Sequence, residues 1–457
     1  MRFLRLIGRG VVAVALLASP AARAATEIQF WHAMDGALGE HLKVLVDRFN
    51  ESQKQYRVAP VYKGSYDETL SAGMAAQRAG KGPHILQVYE VGTANMMAAK
   101  RAVKPVHQLM RETGEKYDPS AFVPAVASFY SDAKGNLFSL PFNTSTAVLY
   151  VNRDALKAAH KADAPLKTWY QLQEALLEVR ETDPANCGLT TTWPSWVMLE
   201  NTLAWHNEEF ASRNNGYDGL DAQLTFNTRL AIRHVSLMTA WTRGQIFSYS
   251  GRRDEGEARF TKGECAMLTA SSASYGNLMR NAKFEFGVLP LPHYDDINQA
   301  PYHTLIGGAS LWALNGKSAA DLKGVAKLFA FLSQPEVQAE WHQRTGYLPL
   351  TRVAYDLTKR SGFYDRNPGT DVALRELLNK GAPQPYSRGI RLGNHLMIRA
   401  IVDEELEQAF AGAKPPMLAL GDAVKRGNSL LRRFEQANRE PRAPQPSEDS
   451  QLASRKK

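Results

Sequence analysis

Six segments near the start of the chain alternate in pattern, and that alternation restricts the fold more than any other feature. EIQFWHAM reads as a strand and GALGEHLKVLVDRFNES as an amphipathic helix. YRVAPVYKG and YDETLSAGMAAQRAG repeat the pair, and HILQVYE with GTANMMAAKRA repeats it again. Strand–helix alternation of this kind predicts an α/β unit built on a mainly parallel sheet flanked by helices. In such sheets ligands sit outside the carboxyl ends of the strands. That rule selects Trp31 and His32, residues 63 to 66 ending in Tyr66, and Tyr89 with Glu90. Nothing gives His32 more than a packing or capping role.

After this unit the pattern changes. SLPFNTSTAVLYVN, residues 139–152, reads as an extended crossover carrying a cluster of small hydroxyls. A helix-rich region follows from about 154 to 260. Within it TTTWPSWVMLE places Trp193 and Trp196 three residues apart, with Pro194 suited to a first helical position. CAMLTASSASYGNLM predicts a strand that ends in a Ser-rich helix N-terminus, and FGVLPLP a further strand. TLIGGASLWALNG is apolar with two internal glycines, AADLKGVAKLFAFLSQPEVQAEWHQRTG is a helical pair, and GYLPLTRVAY is an extended return. Amphipathic helices are expected near 398–412 and 416–436, and a polar, proline-containing, disordered tail from 437 to 457. There is no internal repeat.

Composition bounds the class. The 457 residues are 44% hydrophobic and 22% charged, which is globular and long enough for two or three domain-sized units. MRFLRLIGRG, the short apolar run VVAVALLA and the Ala22-Arg23-Ala24 pattern read as a secretory signal peptide over 1–24, cleaved after Ala24. The apolar run is too short to span a bilayer, so the expected product is exported to the periplasm and soluble. Cleavage removes four arginines and no acid, which lowers the formal charge from +9 to +5. Basic residues are scattered rather than clustered with aromatics, so no nucleic-acid partner is expected. Cys187 and Cys265 are the only cysteines. In an oxidising compartment they form a possible disulfide, stabilising by about 4 kcal/mol on a chain-entropy account; two buried thiols are the alternative.

Familiar catalytic signatures are missing. No G-x-S-x-G elbow, H-E-x-x-H helix or strand-linked G-x-G-x-x-G occurs. Asn315-Gly316-Lys317-Ser318 ends like a phosphate loop, but Leu311 stands where the pattern needs glycine. A glycosidase carboxylate pair stays open, since acids are plentiful and none is singled out. The expectation is a protein that is not an enzyme and carries no metal or cofactor.

Seven segments taken in order, FWHAMDGALG, VYKGSYDETLSAG, ILQVYEVGTANMMA, LPFNTSTAVLYVN, GGASLWAL, AEWHQRTGYLP and IVDEELE, resemble one family. It is the periplasmic sn-glycerol-3-phosphate-binding receptors of ABC importers, within the extracellular solute-binding proteins that include the maltose-binding protein. The resemblance spans about residues 26 to 436. It implies the two-lobe type II periplasmic-binding-protein fold, α/β throughout, with crossover hinge strands joining lobes 25–143 plus 304–350 and 144–303 plus 351–436. It implies a monomer that delivers its ligand to transmembrane permease subunits served by a cytoplasmic ATPase.

The resemblance also implies a ligand set: Tyr66, Glu90, Ser145, Trp193, Trp196, Ser271, Gly308, Tyr347 and Arg399. Taken alone, each has a plainer reading: core aromatics, cap hydroxyls, a turn glycine, a surface arginine. Taken together they suit sn-glycerol 3-phosphate or glycerophosphocholine. Hydroxyls, a backbone N–H and a guanidinium fork answer the phosphate, and a carboxylate accepts from the glycerol hydroxyls. The indoles cover the carbons. Two rivals remain: a sugar or oligosaccharide receptor of the same fold, and a secreted glycerophosphodiester hydrolase.

Overall fold

The computed structural model describes residues 25–297, 299–381 and 384–439. The segment read as a signal peptide lies outside the described residues, as does the tail beyond Arg439. Residues 437 and 438, assigned to that tail from sequence, instead complete the last helix, Pro416–Asn438.

Among the described residues, eleven strands form two sheets. The first holds β1 (Thr26–His32), β2 (Tyr56–Tyr62), β3 (Ile85–Tyr89), β4 (Val103–Lys104), β5 (Leu140–Ser145) and β11 (Gly307–Leu314), in the order β2-β1-β3-β11-β4 with β5 also on β11. The second runs β10-β6-β9-β7-β8, from β6 (Ala147–Asn152), β7 (Leu189–Thr191), β8 (Phe247–Ser248), β9 (Met267–Ser271) and β10 (Phe286–Leu289). The α/β reading holds, but parallel pairing is confined to β2-β1-β3 and to β9-β7-β8. β11, β5 and β6 enter antiparallel because the chain recrosses between the sheets.

Register explains where a site forms. β5 and β6 are one extended run broken only at Thr146. Ser145 pairs with Gly307 in the first sheet, and two residues later Ala147 pairs with Ser271 in the second. The Thr146 hydroxyl donates to Leu305 O at 2.8 Å and its carbonyl accepts from Ser272 N at 2.8 Å, so the crossover is fixed from both sides. The return crossing lies alongside, with Leu348 N donating to Thr144 O at 2.7 Å. The extended reading of GYLPLTRVAY holds only to Leu350. Thr351 caps a helix, Arg352–Arg360, by accepting from Ala354 N, and capping wins over the β-branched character of the segment.

Packing follows the pattern. The first sheet buries Ile28, Phe30, Ile85 and Leu311 against Leu42, Leu45, Val46 and Phe49 of helix Gly36–Ser52 and Val325, Leu328 and Phe329 of helix Ala319–Leu332. Each such side chain contributes about 1.5–3 kcal/mol. Cys187 and Cys265 form a disulfide with Cα atoms 4.7 Å apart. It lies just before β7 and β9, at the end of those strands away from Ser271.

Candidate functional site

The carboxyl end of β3, the start of β11, the β5–β6 crossover and the ends of β7 and β9 meet around a cleft of about 720 Å³. All nine residues expected at a ligand site line it: Tyr66, Glu90, Ser145, Trp193, Trp196, Ser271, Gly308, Tyr347 and Arg399.

Tyr66 opens helix Tyr66–Arg78, behind a capping box of Ser65 and Glu68. Its ring stacks on Tyr89 at 5.1 Å and 7°. Its hydroxyl accepts from Asn143 Nδ2 at 2.9 Å, while Asn143 Oδ1 accepts from Gln87 Nε2 at 2.9 Å. Burial pushes the Tyr347 phenol up to about 12 and Tyr66 well above its ordinary value, so both stay protonated donors. Ser271 caps the turn Ser272–Ser274, its Oγ accepting from Ala273 N at 3.1 Å, which leaves its O–H free to donate elsewhere.

Two glycines are required by geometry. Gly308 has φ +90°, and a Cβ there would lie 1.9 Å from Asn143 O. A Cβ on Gly307 would come within 2.6 Å of the Trp196 ring. The indole of Trp196 therefore lies flat against the backbone of β11. Its Nε1 has no partner among the described residues.

The tryptophan segment differs from the simple helix entrance expected from Pro194. Trp193 takes a left-handed backbone (φ +45°), and Pro194 leads into a π-helical turn, Ser195–Glu200, before helix Asn201–Trp205. The wider winding brings Trp196 to the cleft and Glu200 to its rear. Trp193 donates from Nε1 to Asp254 Oδ1 at 2.6 Å, and the Arg253 guanidinium covers its ring at 4.8 Å. Arg253 reaches over to pair with Asp67, which also accepts from the Tyr89 hydroxyl.

Arg399, which the resemblance implies is a cationic fork for the phosphate, is also bound by two carboxylates. Its Nη1 donates to Glu90 Oε1 at 2.7 Å, its Nε to Glu200 Oε1 at 2.8 Å and its Nη2 to Glu200 Oε2 at 2.6 Å. His395 Nε2 lies 3.1 Å from Glu200 Oε1. Burial works against every charge here. For Arg399 the two carboxylates outweigh it and hold its pKa above the ordinary value. For Glu200, Arg399 and His395 outweigh it and hold the carboxyl down at about 2. Glu90 has one guanidinium bond, and burial wins, raising its pKa.

Sequence reasoning missed Glu200, His395, Asn143, Asp67, Arg253, Asp254 and Glu257. Glu200 left a signal, an acid inside the apolar run SWVMLENTLAW. Glu257 is buried beside Asp254 and accepts from Ser274 Oγ at 2.5 Å and Asn277 Nδ2 at 2.6 Å; burial and the neighbouring carboxylate push it up to about 7.

The family model described as bacterial extracellular solute-binding protein matches residues 44–370. The chain belongs to the bacterial extracellular solute-binding proteins. Among these solute-binding proteins, the sn-glycerol-3-phosphate-binding periplasmic protein UgpB of Yersinia enterocolitica is 52% identical over 430 residues, covering 94% of this chain and 97% of that one. The protein of the same name from Salmonella typhimurium is 50% identical, covering 94% and 98%. Of solved solute-binding structures, UgpB from Mycobacterium tuberculosis in complex with glycerophosphocholine superposes with TM-score 0.76 at 22% identity, over 90% of this chain and all of that one. Maltose-bound MalE3 of T. maritima superposes with TM-score 0.72 at 16% identity, over 90% and all. These superpositions establish the fold, the two-lobe type II periplasmic-binding fold, with one sheet in each lobe.

Proposed function

We propose that this chain is the exported, periplasmic substrate receptor of an ABC importer, capturing sn-glycerol 3-phosphate and glycerophosphodiesters such as glycerophosphocholine between its lobes. We assign residues 25–143 with 304–350 to one lobe and 144–303 with 351–436 to the other. The observation that carries the reading is the convergence of the nine cleft residues, donors and acceptors alike, in a chain half identical to proteins named for this ligand.

In this reading Ser145, Ser271, the Gly308 backbone and the phenols of Tyr66 and Tyr347 surround the phosphate with neutral donors, and Arg399 adds its remaining N–H groups. Glu90 accepts from the glycerol hydroxyls, and Trp193 and Trp196 cover the carbon chain. Contacts to both lobes favour the closed form, which then engages the permease subunits in the membrane. No bond of the ligand is broken.

Calorimetric titration of the mature protein with glycerol 3-phosphate, glycerophosphocholine and maltose, with recovery of the ligand afterwards, tests this directly. Binding of either glycerophosphate compound, recovered intact and with maltose silent, is the expected result. Binding of maltose alone establishes the sugar-receptor alternative, and recovery of cleaved product establishes the hydrolase.

A further inference from the structure

We infer that Glu200 is a positioning residue for ligand capture, acting through Arg399; the inference rests on the ligand reading above. A guanidinium has five N–H groups. Three of those on Arg399 are committed to carboxylates, leaving one on each Nη nitrogen. Which edge is left over is decided by Glu200. It takes the Nε–Nη2 edge side-on with both oxygens, an arrangement that fixes the plane of the fork as well as its direction.

Glu200 does this from behind. Arg399 and Glu90 line the cleft and Glu200 does not. Glu200 is only 2% exposed, and its backbone is held in the π-helical turn whose other end carries Trp196. Wide turns of this kind recur at functional sites because they re-aim a side chain within a helix. His395, one turn ahead of Arg399 on the same helix, holds the Oε1 side of the carboxylate. Glu200 thus sets the fork, the fork aligns Glu90, and the two uncommitted N–H groups belong to a side chain that lines the cleft.

The test is a double-mutant cycle on binding, measured on the mature protein with sn-glycerol 3-phosphate as probe. Glu200→Gln keeps the shape but turns an amide N–H₂ toward one guanidinium N–H. It is expected to weaken binding by about tenfold or more, as loss of a charge-assisted hydrogen bond does. Arg399→Lys is expected to weaken it similarly, and the double variant no further than the weaker single one. Wild-type affinity in Glu200→Gln, or losses that multiply in the double variant, overturns the inference while leaving the ligand reading intact. A wild-type protein that binds neither glycerol 3-phosphate nor glycerophosphocholine overturns both. Glu200→Asp keeps the charge and withdraws the carboxylate by roughly 1.5 Å. It separates folding from positioning: weakened binding with an unchanged unfolding midpoint supports positioning, and full affinity refutes it.

Discussion

Two of the four arginines that line the cleft, Arg399 and Arg253, bind carboxylates across it in different ways. Arg399, on the floor, is 8% exposed and bound by two carboxylates, Glu90 just after β3 and Glu200 in the turn after β7. Arg253, at the rim, has a side chain 40% exposed, covers Trp193 and pairs with a single carboxylate, Asp67, whose side chain is 28% exposed. The contacts are chemically alike. Burial makes them unequal, because removing one partner from a buried cluster strands a charge, whereas at the rim water replaces it.

The largest effect is therefore expected at the floor. Arg399→Ala leaves Glu90 and Glu200 without the cation they share, and should cost about 3–5 kcal/mol of folding stability in addition to abolishing ligand binding. Urea denaturation beside titration checks both. A variant as stable as wild type means the network is solvated and the contrast between floor and rim is false. Next comes Gly308→Ala, where the left-handed backbone and the contact with Asn143 O force β5 and β11 apart. A stability loss of about 1–3 kcal/mol is expected, with binding weakened further because the Ser145 end of β5 moves.

How much of this was legible beforehand differs between the same two regions. The first α/β unit announced itself through alternation, since each strand–helix pair is local and its period is visible in the chain. Tyr66 and Glu90 were already selected by the strand-end rule, the full set of nine came from resemblance to a family, and the structure brings them together. The ion network on the floor was hidden, because Arg399 is 309 residues from Glu90 and 199 from Glu200, and pairing at that separation leaves no period. The antiparallel entry of β5, β6 and β11 was equally invisible: a strand's sequence states its burial, not its direction. RVAY was misread because four residues of β-like composition were weighed without the cap at Thr351 that starts a helix.

Acidity sharpens the comparison from another side. Glu200 has a folded pKa held below the unfolded value, so its contribution is present above about pH 4.5 and lost as pH falls toward about 2. Glu257, in the wall near the rim, has a folded pKa raised to about 7. Its contribution is full below the unfolded value and lost as pH rises through 7. Stability is thus expected to decline as pH rises from about 4.5 to about 7, by roughly 3 kcal/mol in all. Asp254→Asn removes the like charge beside Glu257 and still accepts from Trp193, so the decline should shrink. Unfolding midpoints across that range decide it, and an identical slope in wild type and variant assigns the decline elsewhere.

The smallest effect belongs to the rim. Asp67→Asn breaks the pair with Arg253 but keeps an acceptor for the Tyr89 hydroxyl. Both partners are accessible to water, so solvent screens the lost attraction, and the stability change should stay within about 1 kcal/mol. The consequence lies in closure rather than folding. In the proposed division Arg253 and Asp67 belong to opposite lobes, so even a few tenths of a kilocalorie shifts the balance between open and closed forms. Small-angle scattering of the unliganded protein should show a slightly larger radius of gyration in the variant, restored by saturating ligand, and added salt should move wild type the same way. Should Asp67→Asn destabilise the protein as much as Arg399→Ala, exposure is not what separates the two arginines, and the rim is as much a part of the folded core as the floor.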